Sequence, residues 1–157
     1  MTPYAVKNGD ILPEELAVLR MVQDIFRALT DKDYEVSCHH LCHAMGSIFS
    51  FLQVEDGYFG PGHEHSWLVL KDKSPDGKII LDVYPVAGTA PFMIYAHWNV
   101  PWRSLYRQDL GVVQKFRDRD PDFDFRVADL VAEIKQFLHT IVCCSPILDR
   151  ERVMLDC

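Results

Sequence analysis

From Pro13 to Leu29 apolar residues recur at helical spacing, with Leu16, Leu19, Val22, Phe26 and Leu29 on one face. Pro13 suits a first helical position, and Glu14 and Glu15 complement the positive end of the helix dipole. The polar run Thr30-Asp31-Lys32-Asp33 ends that segment. A second helix is predicted from Ser37 to Leu52, with Ser37 as N-cap and Leu41, Met45, Ile48, Phe49 and Leu52 as its apolar stripe. Gly46 lowers the helix propensity there by ~1 kcal/mol relative to alanine, so it marks a close approach to a neighbouring element.

The pattern then changes to strand-like pieces at Val54 to Phe59 (the weakest), Ser66 to Lys71 and Lys78 to Val83. Asp72 to Gly77 has turn chemistry and joins the last two as a hairpin. Residues 84 to 110 carry Pro85, Pro91, Pro101 and many aromatics, and are expected to be packed but irregular. A closing helix is predicted from Asp124 to Thr140, with Val127, Leu130, Val131, Ile134, Phe137, Leu138 and Ile141 on one side. Helices, an antiparallel meander and a closing helix make an α+β order.

With 157 residues, no repeat and no linker-like tract, the chain is expected to form one domain over 1–157. Hydrophobic residues at 48% and charged residues at 25% exclude intrinsic disorder. A net charge of −7 and the lack of a Lys/Arg run argue against nucleic-acid and polybasic membrane partners. No apolar run approaches the ~20 residues of a spanning helix, and the N-terminus lacks a secretory signal. Five cysteines, two of them adjacent at 143 and 144, make a poor disulfide framework, and a reduced, cytoplasmic protein is expected.

Candidate chemistry concentrates in residues 37 to 85. Cys38 falls in the first turn of a predicted helix, where free backbone N–H groups and the dipole favour a thiolate and can later hold an oxyanion. His65 stands at the entrance to a strand and can exchange a proton with such a thiol. Asp82 interrupts the apolar run IILDVYP. A turn centred on Pro75 and Asp76 brings it near His65, where a carboxylate fixes the imidazole tautomer. Asn99 is an alternative partner for the imidazole. Cys42 is a rival nucleophile, but a position deeper in the helix lacks free N–H groups. Trp67, opposite in direction to Ser66, packs into the core and steadies the strand. With Trp98 and Trp102 it makes up the candidate substrate-binding set. The segment Tyr95 to Tyr106 either lines a substrate groove or covers the sheet.

Cysteine at a helix start, histidine on one strand and aspartate on the next resemble the transglutaminase-like branch of the papain-like cysteine enzymes. SCHHLCHAMGSIFSFLQVEDGYF is similar to that family's cysteine helix and first strand, HSWLVL to its histidine strand and IILDVYP to its aspartate strand. The match covers residues 37 to 85. His39 and His40, directly after the cysteine, depart from the family's pattern. The resemblance implies a papain-like (transglutaminase-like) core, its cysteine helix packed on a short antiparallel sheet and flanked by N- and C-terminal helices. It implies Cys38 as nucleophile, His65 as base and Asp82 as orienting acid. The implied reaction is acyl transfer through a thioester, of peptidase, amidase, deamidase or transglutaminase type, on a peptide, protein or small amide, with no cofactor. Gln23 is the candidate for a second oxyanion donor.

Two other classes stay open. A non-catalytic binding domain on the same fold would use the Tyr95 to Tyr106 surface. A metal-binding domain would draw on Cys38, His39, Cys42, His43, His63 and His65, although C-x3-C-H matches no standard zinc or haem spacing. The run Asp118, Asp120, Asp122, Asp124 has Phe123 where a calcium loop needs glycine, and is read as a solvated loop and helix start. Cys143 and Cys144 are read as packing residues.

Overall fold

A computed structural model describes residues 13–31, 37–70, 79–84, 92–97 and 104–144. The first two helices, α1 (Pro13–Asp31) and α2 (Cys38–Ile48), start where the sequence places them. Ser37 caps α2, its hydroxyl accepting from the His40 N–H at 3.2 Å. Helix α2 stops four residues before the expected Leu52. Phe49 adopts extended backbone at the C-cap, and Leu52 already pairs with Leu70 in the sheet. Leu52 still reaches the apolar core of the helices, but from a strand, which is why the helical stripe continues in the sequence as far as that residue. Gly46 is a close approach as expected, since a Cβ there would collide with the Val54 side chain.

The sheet comprises β1 (Leu52–Phe59), β2 (His63–Leu70), β3 (Ile79–Tyr84), β4 (Phe92–His97) and β5 (Tyr106–Gln108), in the order β4-β3-β2-β1-β5. Every strand pairing among the described residues is antiparallel. Among the described residues the expected three strands are therefore five. Residues 84 to 110 hold β4 and β5 because their prolines bracket strands instead of interrupting them; Pro91 directly precedes β4. Two further helices follow the sheet, α3 (Val112–Arg119) and α4 (Phe123–Cys144). The sequence pattern misses α3 because only Val112 and Phe116 of its eight residues are buried, too few to show a period.

Helices α1, α2 and α4 share one core with the sheet: Ile25, Leu41, Met45 and Leu130 meet Leu68 and Leu81. Trp67, Val69, Ile80 and Tyr106 form a second cluster, so odd and even positions of β2 serve different clusters. This is an α+β arrangement of helices packed on a small antiparallel sheet. Among the described residues no helix is long and apolar enough to cross a membrane.

Candidate active site

Ser37 closes the first turn of α2 and thereby sets Cys38 at its first residue. Helix geometry leaves the early N–H groups without intrahelical partners. The His40 N–H is taken by Ser37 Oγ, and Leu41 N–H bonds the Ser37 carbonyl. The N–H groups of Cys38 and His39 therefore remain at the mouth of the helix. Cys38 itself is partly accessible, whereas Cys42, one turn deeper, is fully buried. Burial pushes the Cys42 thiol well above its ordinary 9.0, and its S–H donates to the Ser66 carbonyl at 3.4 Å. Cys42 is thereby held as a packed thiol.

The structure brings Cys38, His65 and Asp82 together. Leu68 pairs with Leu81, and continuing that register sets Asp82 opposite Trp67. The expected turn centre would have set it opposite Val69; the two-residue difference keeps Asp82 on the same face. From there Asp82 Oδ1 lies 2.8 Å from His65 Nε2, and the two residues are each only 3% exposed. That bond occupies Nε2, so Nδ1 is the ring nitrogen left to share a proton with Cys38. Burial alone would raise the thiol's pKa, but hydrogen bonds with His39 and His65 outweigh it and bring Cys38 to about 6. Burial alone would lower His65, but its bonds to Asp82 and to Cys38 lift it to about 10. The two groups form one coupled unit, a thiolate facing an imidazolium across the intervening pH range.

Tyr106 enters the sequence reading only as the end of the Tyr95 to Tyr106 segment, with no tie to Asp82. Its O–H donates to Asp82 Oδ2 at 2.7 Å, so both oxygens of the buried carboxylate are engaged. Burial and the adjacent charge push its own ionisation far up, keeping it a donor. Glu55 was missed too: this buried acid accepts from Trp67 Nε1 at 3.0 Å, directly across the β1–β2 pair. Trp67 has no exposed surface, which corrects its place in the substrate-binding set. Its indole lies 6.2 Å from the His65 ring with planes 29° apart, so it supports the imidazole from within the core. Trp98, Asn99 and Trp102 lie outside the described residues, as do Cys157 and the side chains of Gln23, Cys143 and Cys144.

The remaining histidines of α2 go to separate partners. His40 Nε2 donates to Asp120 at 3.2 Å, and His43 Nε2 lies 3.0 Å from both oxygens of Asp56. Burial lowers His40 below its ordinary 6.5, so it is neutral at pH 7. Among the described residues no group of three or more His, Cys, Asp or Glu side chains is arranged to hold a metal ion. Asp120 also bonds Arg126, while Asp118, Asp122 and Asp124 are exposed around the turn between α3 and α4.

No protein-family model, curated protein or solved structure matches this chain. An open groove of about 590 Å³ lies beside the helix mouth, lined among others by Ser37, His39, Glu64, Phe116 and Phe123. The chain neighbours of Cys38, Ser37 and His39, line this groove, and neither Cys38 nor His65 is part of its wall. Arg119 pairs with Glu64 at its edge. The arrangement supplies an acidic thiol, an imidazole held by a carboxylate, two backbone N–H groups at the helix mouth that have no intrahelical partner, and a neighbouring cleft.

Proposed function

We propose that this chain is a cysteine-dependent acyl-transfer enzyme with a papain-like, transglutaminase-like core, in which Cys38 is the nucleophile, His65 the acid and base, and Asp82 the orienting acid. The observation that carries the reading is the hydrogen-bonded line from the Cys38 thiol through His65 to Asp82 at the start of a helix. A buried structural cysteine needs no imidazole backed by a carboxylate, and Cys42 illustrates that state one turn away.

In the reaction, the Cys38 thiolate adds to the carbonyl carbon of an amide or ester. The S–C bond forms, and the carbonyl π pair moves to oxygen, where the Cys38 and His39 N–H groups receive it. As the oxyanion collapses, the bond to the leaving group breaks and His65 Nδ1–H gives that group its proton. A thioester and a neutral imidazole remain. Water or an amine then adds to the thioester, His65 takes its proton, and the C–S bond breaks to restore the ion pair. Water gives hydrolysis; an amine gives transfer. Peptides, proteins or small amides fit the neighbouring groove, whose size lies within the usual ~300–1,000 Å³ of ligand sites.

The test uses p-nitrophenyl acetate. A burst of nitrophenolate, an acetyl adduct on Cys38 by mass spectrometry, and its loss to water or hydroxylamine are expected. Unchanged turnover in Cys38→Ala, or an acetyl group that forms elsewhere, would overturn the reading.

A further inference from the structure

Resting on that reading, we infer that His39 is a second catalytic hydrogen-bond donor to the Cys38 sulfur, held in its donating tautomer by Ser66 and Asp56. The polarity of the chain follows from counting protons. Ser66 Oγ lies 2.5 Å from Asp56 Oδ1, and the hydroxyl is the donor. Burial raises Asp56, but its bonds to His43 and Ser66 outweigh that and hold it below the ordinary 3.8. It is therefore a carboxylate at neutral pH and accepts only. The single Ser66 proton is thus committed to Asp56. His39 Nδ1, 2.9 Å from the same Ser66 oxygen, must donate to it. His39 Nδ1 also stands 3.7 Å from Cys38 Sγ, a sulfur hydrogen-bond distance, so its one proton is shared between the Ser66 oxygen and the sulfur. Phe116 fixes the ring plane, its centroid 3.6 Å from that of His39 with planes 31° apart.

The thiolate therefore meets two imidazoles of different kinds. His65 carries the mobile proton and is backed by Asp82. His39 offers an N–H whose place is fixed by a neutral hydroxyl, so it stabilises the anion without being required to give up a proton. The groups facing the thiol are His39 and Cys42 on α2 and His65 on β2, with Asp82 of β3 behind His65. Those around His39 are Cys38 and His40 on α2, Asp56 of β1 through Ser66 of β2, and Phe116 on α3 with Arg119 over its outer side. His43 holds the far end through Asp56.

The experiment is the rate of Cys38 alkylation by iodoacetamide against pH, in the full chain, with sites read by mass spectrometry. His39→Phe keeps an aromatic ring on Phe116 and removes the N–H, while His39→Asn restores an amide donor near the Nδ1 position. The wild-type midpoint is expected near 6. His39→Phe is expected to raise it by at least about one pH unit, an about tenfold slower reaction below the midpoint. His39→Asn is expected to bring it back. An unchanged midpoint in His39→Phe, or a rise that His39→Asn fails to restore, overturns the donor role while leaving the acyl-transfer reading in place. A wild-type midpoint near 9.0 overturns that reading and this inference with it. A second measurement needs no variant fold: a long-range 1H–15N correlation spectrum is expected to show His39 with its proton on Nδ1, and a proton on Nε2 alone overturns the inference.

Discussion

Replacing Asp82 by asparagine keeps the shape of a buried side chain and removes its charge. Asp82 accepts from His65 at 2.8 Å and from Tyr106 at 2.7 Å, and at 3% exposure little solvent screens either bond. A hydrogen bond to a charged partner contributes ~1.5–3 kcal/mol. At 1.36 kcal/mol per pH unit that corresponds to a shift of ~1–2 units. His65 should therefore fall from about 10 toward its ordinary 6.5. Because the thiol and imidazole titrate as one unit, the Cys38 midpoint should rise by a similar amount. With a midpoint of about 6, roughly nine-tenths of Cys38 is thiolate at pH 7; after a rise of ~1–2 units, about a half to a tenth remains. The assay is iodoacetamide labelling across pH, with Cys42 as an internal control and circular dichroism to establish folding. The expected result is a ~2–10-fold slower reaction of Cys38 at pH 7. A folded Asp82→Asn protein with the wild-type profile would refute the coupling through His65.

Three further outcomes are expected. Tyr106→Phe keeps the ring packed beside Trp67 and deletes one donor to Asp82; it should destabilise the fold by ~1–3 kcal/mol in urea unfolding. Its Cys38 midpoint should move less than in Asp82→Asn. Gly46→Ala gains ~1 kcal/mol of helix propensity but overpacks Val54 at a cost of ~1–3 kcal/mol, so a net loss is expected, with recovery when Val54→Ala is added. His65 has a folded value raised from 6.5 to about 10, so its contribution to stability is complete below pH 6.5 and is lost as pH rises through about 10. The urea-stability gap between wild type and His65→Phe should therefore narrow on the alkaline side.

What the sequence discloses depends on how much of each element's role is local. Ser37 capping Cys38 is a contact within one turn and is visible in the residue order. So are the long apolar stripes of α1 and α4, whose periods run over several turns. The His65–Asp82 pair is legible because their neighbouring strands pair antiparallel, and a register that differs by two residues still preserves the face. Tyr106 is different. It sits in a three-residue strand that pairs with β1, far away in sequence, so no local pattern announces its bond to Asp82. Glu55 likewise looks like an ordinary exposed acid until Trp67 is placed across from it. The end of α2 is obscured because Leu52 serves the helical core from a strand while satisfying the period of the preceding helix. His39 looks like a mere departure from a family pattern until Ser66 and Asp56 give it a direction.

The contrast between Cys38 and Cys42, one helical turn apart, makes the chain its own folding gauge. Most proteins protect their thiols when native and surrender them on denaturation. Here the native state sharpens Cys38 and silences Cys42, and loss of structure returns both to ordinary thiols. Along a denaturant series at neutral pH, labelling of Cys38 should slow while labelling of Cys42 quickens. The ratio of the two adducts in a single peptide then reports the folded fraction from opposite directions, without a dye, a tag or a substrate.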